Sequence, residues 1–138
     1  MWELDDRWIL PLRGNAVTGI SWHGDSVTMS LENSFSLAVG SDAYLTPGTG
    51  RRNDVEAKPV FEWHREVAER AMRSQVVSSV GFKSGTIRIR FHNGWGLVAR
   101  IGGGVQAVVM ENGRVLWAQV ANAGADGNAK YRRDDGIA

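Results

Sequence analysis

The sequence predicts a single α+β domain in which two similar three-stranded antiparallel meanders and a C-terminal hairpin pack against one central helix. Two observations support this fold class. The segment 17–39 returns without gaps sixty residues later as 77–99, and in both copies apolar and polar residues alternate as they do in strands. Between the copies, over about 56–73, apolar residues recur at the three- and four-residue spacing of a helix.

Each meander is predicted to bury one face. In the first copy, apolar residues alternate with hydroxyl residues, so one face belongs to the core and the other to solvent. The residues expected to face inward are Val27, Met29, Leu31, Phe35, Leu37 and Val39. Asn33 and Asn93 occupy the equivalent turns, where asparagine tolerates positive φ. Asn93 with Gly94 predicts a two-residue primed turn.

The central helix shows a stripe of larger side chains with charged residues on its other side. Pro59 fits only its first turn. The stripe contains Val60, Trp63, His64, Val67, Ala71 and Met72. We expect the helix to lie on the sheet by this stripe and to cover a core that both meanders share.

Outside the repeat, Pro11 marks 8–12 as an edge strand or extended arm. A glycine run at 102–104 breaks the chain before a hairpin of strands 105–110 and 115–120. Both faces of this hairpin are apolar, which predicts either a central position or a subunit interface. The composition then becomes polar and small, so 1–121 is predicted to be the domain and 122–138 a flexible tail.

Composition excludes several kinds of function. The chain has no cysteine, which removes disulfides, thiolate catalysis and cysteine-ligated metals. A net charge of +1 argues against nucleic acid or an anionic membrane as a general partner. The first residues are acidic where a signal peptide would be basic, and no apolar run would span a membrane, so a cytoplasmic protein is expected.

Glu62-Trp-His-Arg-Glu is the cluster that most resembles a catalytic site, but its carboxylates lie on the helix face away from His64. The spacing His-Glu-x-x-His is absent, so we interpret His64 as a packed histidine. His23 and His92 fall in or beside turns and share no ligand spacing. The sequence therefore predicts no catalytic residues, no cofactor and no metal. One alternative stays open, a ligand pocket between sheet and helix lined by Trp63, His64 and Trp95.

The second meander has a basic outer face, with Lys83, Arg88, Arg90 and Arg100 predicted to point outward. Such a stripe could bind RNA or single-stranded DNA. We favour a solvated surface, because no aromatic residue alternates with Arg88 and Arg90 on the same face and the overall charge is near neutral.

The segments WILPLRGNAV (8–17), FHNGWGL (91–97) and GRVLW (113–117) resemble a family of small actinobacterial proteins of unknown function. The resemblance covers roughly 8–117 and implies a fold without catalytic residues. Small β-rich domains of this size are also common among bacterial immunity proteins, although this chain is not strongly acidic as many of those are.

The leading functional expectation is a non-enzymatic domain that binds another protein, of the immunity or regulatory type, or a second copy of itself. The apolar hairpin and the wealth of Trp and Arg favour this interpretation. The predicted contact residues are Arg88, Arg90, Val108, Met110 and Trp117. The alternatives are a small-molecule-binding domain or enzyme with the pocket above, and a weak nucleic-acid binder that uses the basic face.

Overall fold

The structure is a computed structural model that describes residues 1–41, 43–47, 57–100, 105–120 and 130–131. Within these residues the chain forms two antiparallel sheets and one α-helix, so the α+β class is confirmed. The strands are β1 (Trp2–Glu3), β2 (Arg7–Ile9), β3 (Val17–Trp22), β4 (Ser26–Leu31), β5 (Phe35–Gly40), β6 (Tyr44–Thr46), β7 (Lys58–Pro59), β8 (Val76–Phe82), β9 (Ile87–Phe91), β10 (Gly96–Ala99), β11 (Val105–Glu111), β12 (Arg114–Val120) and β13 (Lys130–Tyr131). The helix α1 is Arg65–Met72, and short 3₁₀ turns cover Glu32–Ser34 and Val60–Glu62.

The two predicted meanders lie in different sheets. Sheet I has the strand order β1-β2-β8-β9-β10-β6-β7, and sheet II has the order β13-β12-β11-β5-β4-β3. All neighbouring strands in both sheets are antiparallel. The segment 17–39 therefore contributes β3–β5 to sheet II, and 77–99 contributes most of β8–β10 to sheet I.

The two sheets pack face to face. This corrects the prediction that both meanders pack against one central helix. Trp117 of β12 lies against Gly81 of β8, so the inner faces meet across the core. Alternate residues of both meanders fill it, as strand geometry requires. The fully or almost fully buried residues include Val27, Met29, Leu37, Val39, Ile87, Ile89, Leu97 and Ala99.

The helix is shorter than the predicted span of 56–73, whose first residue lies outside the described residues. It begins at Arg65, because the preceding segment is held at the edge of sheet I. Pro59 belongs to β7, which pairs with β6. The indole of Trp63 donates hydrogen bonds to the main-chain carbonyls of Leu45 (2.9 Å) and Lys58 (3.2 Å). These tertiary bonds favour extended backbone over helix at this point.

The eight-residue helix spans only about 12 Å and lies beside the edge strand β3. Its buried residues are Ala68, Ala71 and Met72. The indole of Trp22 on β3 donates to the Glu69 carboxylate at 2.6 Å. On the other side, the Asn93 side chain in the β9–β10 turn donates to the Ala71 carbonyl at 3.0 Å. The helix therefore ties the edge of sheet II to a turn of sheet I.

Replacing Asn93 with alanine is expected to lower the unfolding free energy by about 1–2 kcal/mol. The side chain joins two elements, because its oxygen also accepts from the main-chain nitrogen of Trp95 at 3.0 Å. Urea unfolding measures the loss. His92→Ala, in the same turn and exposed, is the matched control and should cost little. Equal losses in the two variants would contradict the role given to Asn93.

The observed turns agree only in part with the turns predicted from the sequence. Asn33 has φ +62°, as predicted, but in the second meander Gly94 is the residue with positive φ, at +94°. The main-chain bond from Phe91 nitrogen to Trp95 oxygen closes a three-residue loop, not the predicted two-residue turn. Asn112 and Gly113 both have positive φ and form the two-residue turn between β11 and β12.

Several predicted features fall outside the described residues. These are the glycine run at 102–104 and almost all of the predicted tail at 122–138. Within that tail, Lys130–Tyr131 form β13 and pair with β12, so at these two residues the chain extends sheet II.

Candidate binding surfaces

The five predicted contact residues do not form one surface. Arg88 and Arg90 lie on the outer face of sheet I, whereas Val108 and Met110 lie on the outer face of sheet II. Trp117 lies between the sheets and has no exposed surface. The prediction that Trp117 contacts a partner is therefore wrong, and the sandwich presents two separate outer faces.

The outer face of sheet II is uncharged among the side chains that the structure describes. Two rows of paired residues cross β3, β4, β5, β11 and β12. We call these ten residues the uncharged face. The first row is Ser21, Thr28, Ala38, Val108 and Ala118, and the second is Gly19, Ser30, Ser36, Met110 and Val115. Hydroxyl residues occupy the β3–β4 end and aliphatic residues the β11–β12 end.

The outer face of sheet I is basic and also has rows that cross the strands. We call its residues the arginine face. The central row is Ile9, Val80, Arg88, Val98 and Tyr44. One neighbouring row is Ser78, Arg90, Gly96 and Thr46. The other neighbouring row is Arg7 and Phe82. Arg100, beyond the end of β10, is exposed.

Phe82 orders two guanidinium groups on the arginine face. The Arg7 guanidinium lies 4.7 Å and the Arg88 guanidinium 5.3 Å from the centre of the Phe82 ring. Arg7 also donates two hydrogen bonds to Asp6, at 2.9 and 3.0 Å. That contact lowers the pKa of the Asp6 carboxyl and raises the pKa of Arg7, so Arg7 is already paired at neutral pH. Arg88 has no ion pair with any described carboxylate.

Lys83 does not belong to the basic stripe predicted for it. Its amino group pairs with the Glu3 carboxylate and lies 5.2 Å from the centre of the Trp8 ring. Trp8 is the strand partner of Gly81, and a side chain at position 81 would point into the core. Lys83 is therefore on the opposite side from Arg88.

The predicted pocket residues are only partly brought together. The rings of Trp63 and Trp95 meet edge to face at 5.2 Å, and the Lys58 ammonium lies 4.2 Å from the Trp63 ring. His64, however, is exposed and immediately precedes the helix, so its interpretation as a packed histidine is wrong. The two indoles are in direct contact, which leaves no space for a ligand between them.

A second aromatic contact beside the helix was not predicted. Trp22 meets Phe61 edge to face at 5.4 Å, and the Arg65 guanidinium lies 4.7 Å from the Trp22 ring. These residues come from different elements, and no local pattern in the sequence links them. Because Trp22 also bonds to Glu69, we interpret the cluster as the contact that fixes the helix.

The described residues contain no group of three or more His, Asp or Glu side chains placed to hold a metal ion. In the same part of the chain, none of the helical structure has the length and apolar character needed to cross a bilayer.

Comparison of the chain with protein-family models, with curated proteins and with solved structures returned no match. The resemblance to an actinobacterial family therefore stays a prediction.

Proposed function

We propose that this chain is a binding domain that pairs with a second copy of itself through the uncharged face. The observation that carries the proposal is the absence of charge among the ten residues of two rows that cross five of the six strands of sheet II. Lys130 of β13, the strand partner of Ala118, lies beyond these five strands at the edge of the sheet. An outer sheet face left in water would ordinarily carry charged residues, as the arginine face does.

The distribution of residues on the uncharged face suits a two-fold contact. Its aliphatic part centres on Val108 and Met110, both half-buried and neither packed against the core. Hydroxyl residues flank this part on one side. A two-fold axis near Val108 would place the aliphatic parts of two copies together and leave the hydroxyl residues at the rim, the usual anatomy of an interface.

The two meanders differ in their outward-facing residues, which are the ones that would form this contact. We also propose that β3–β5 and β8–β10 are repeats of one unit. Val27 and Ile87 occupy equivalent positions in them and are both buried, which supports the repeat. Outward residues at equivalent positions then change from Thr28 and Ser30 in sheet II to Arg88 and Arg90 in sheet I. Two arginine faces would repel each other, whereas two uncharged faces would not.

The size of the face predicts a reversible dimer. Five strands at about 4.8 Å by four residues at about 3.3 Å give a footprint of about 24 by 13 Å, or about 320 Å². A typical stable interface buries about 800 Å² on each partner. We therefore expect association that depends on protein concentration.

Light scattering on a dilution series tests the proposal. The wild type is expected to approach twice the mass of one chain at high concentration. Val108→Asp should stay at the mass of one chain, because it would bury an unpaired carboxylate in the interface.

The matched control is Val98→Asp, a half-buried outward valine of β10 on the arginine face. It should dimerise as the wild type does, and thermal melts should show that both variants are folded. A wild type that is monomeric at every concentration, or two aspartate variants that behave alike, would contradict the proposal.

A further inference from the structure

Two arginines of the arginine face lack a counter-charge from the described part of the protein. Arg88 and Arg90 are alternate residues of β9 and point outward, about 6.6 Å apart along the strand. Neither forms an ion pair with a described carboxylate. Arginines on a rigid strand that have no carboxylate partner are available to an external anion with regularly spaced charges.

An exposed aromatic ring stands on the same face. Tyr44 is 44% exposed and lies on the same row as Arg88, with Val98 between them. Two strand spacings, or about 10 Å, separate the two backbones. Phe82 holds Arg88 through a ring contact and is itself covered by guanidinium groups, so Tyr44 is the ring with an open face.

We infer that the arginine face binds single-stranded nucleic acid, with phosphates on Arg88 and Arg90 and a base stacked on Tyr44. The separation of the two arginines is close to that of successive phosphates in an extended strand. Stacking on aromatic rings beside a cationic track is the general way in which proteins hold single strands. An acidic peptide would use the same arginines but would gain little from the tyrosine.

This inference goes beyond the proposed self-association, since it uses the opposite face of the sandwich. Both contacts can form at once, and a dimer joined through sheet II would present two arginine faces pointing away from each other. Nucleic-acid binding does not depend on the dimer, so one proposal can fail while the other stands.

Fluorescence anisotropy with a labelled oligothymidine at low salt is the test. The wild type is expected to bind, with affinity that falls as salt rises. The double variant Arg88→Gln, Arg90→Gln should bind about tenfold or more weakly, and its log–log salt slope should be smaller by about 1.4, two phosphates at about 0.7 each. Tyr44→Ala should weaken binding about tenfold without changing that slope.

The matched control is Arg70→Gln, Arg114→Gln, which removes the same charge from an exposed helix position and from the exposed first residue of β12. It should retain wild-type affinity within about twofold. Loss of binding by the face variant and by Tyr44→Ala, with the control unaffected, supports the inference. The inference is overturned if the wild type does not bind, or if the face variant and the control variant lose the same affinity. It is also overturned if Tyr44→Ala binds normally while polyglutamate competes as well as the oligonucleotide.

Discussion

Replacing Trp117 with alanine is expected to cost about 3–5 kcal/mol of unfolding free energy, the largest effect of any substitution considered for this protein. The indole has no exposed surface and fills the space between the sheets, where it contacts β8 across the core. Removing it leaves a cavity that two hydrogen-bonded sheets cannot close. Chemical denaturation followed by circular dichroism measures the loss, because this signal does not depend on the indole that the substitution removes.

The substitution Trp117→Phe separates the contribution of ring volume to stability from the contribution of the polar Nε1 atom. The indole Nε1 is buried and has no hydrogen-bond partner among the described residues. Phenylalanine removes this unpaired donor, which offsets part of the lost volume, so the expected cost is only about 1–2 kcal/mol. A phenylalanine variant as unstable as the alanine variant would show that Nε1 contributes a bond and would contradict this account of the core.

The second large effect is expected at Gly81, on the other side of the same contact. A β-carbon built there would lie 2.7 Å from Cε2, 2.8 Å from Cζ2 and 2.9 Å from Nε1 of Trp117. The ring is enclosed and cannot move aside, so Gly81→Ala should destabilise by about 2–3 kcal/mol through overpacking. Denaturant unfolding, with the midpoint and slope both fitted, gives the value.

Gly19→Ala is the matched control for this overpacking. Gly19 also lies in a strand, and a β-carbon there would have only the Ser30 β-carbon within 4 Å, at 3.9 Å. Its cost should stay within about 0.5 kcal/mol. Combining Gly81→Ala with Trp117→Phe should recover part of the loss, since the smaller ring leaves room. Purely additive losses in the double variant would mean that the two residues do not share one contact.

The strands of the meanders could be predicted because their signal is local. Met29 and Ile89 sit in runs where every second residue is apolar, and both are buried as the alternation requires. The helix start could not be predicted, because it depends on Trp63. A bond from that indole to Leu45, far away in sequence, keeps the chain extended where local spacing favours a helix.

The hairpin shows why the burial of Trp117 could not be predicted. A bulge in the β11–β12 pairing lies between the partners of Val109 and Met110, and Leu116 is the extra residue. Val115 therefore pairs with outward Met110, whereas Trp117 pairs with inward Val109. Two residues that share a face in a regular strand end up on opposite faces, and no feature of the sequence marks the bulge.

The aromatic residues of the arginine face could not be predicted for a similar reason. The only aromatic residue of β9, Phe91, is buried on the other face from Arg88 and Arg90, and the sequence pattern describes only that one strand. Pairing of the strands brings Phe82 from β8 and Tyr44 from β6 to the same face. Surfaces made by several strands follow from register and strand order, which local patterns do not specify.

The most direct test of the account is the distance between copies of the chain, measured by pulsed dipolar EPR. The chain has no cysteine, so a single spin label can be placed at Ser30→Cys, at the rim of the uncharged face, or at Val98→Cys on the arginine face. A dimer joined through sheet II predicts a short distance for the Ser30 label. The Val98 label should give a longer one, because three sheet spacings of about 10 Å each lie between the outer faces. A shorter distance from the Val98 label, or no dipolar coupling from either label at high concentration, would contradict association through the uncharged face.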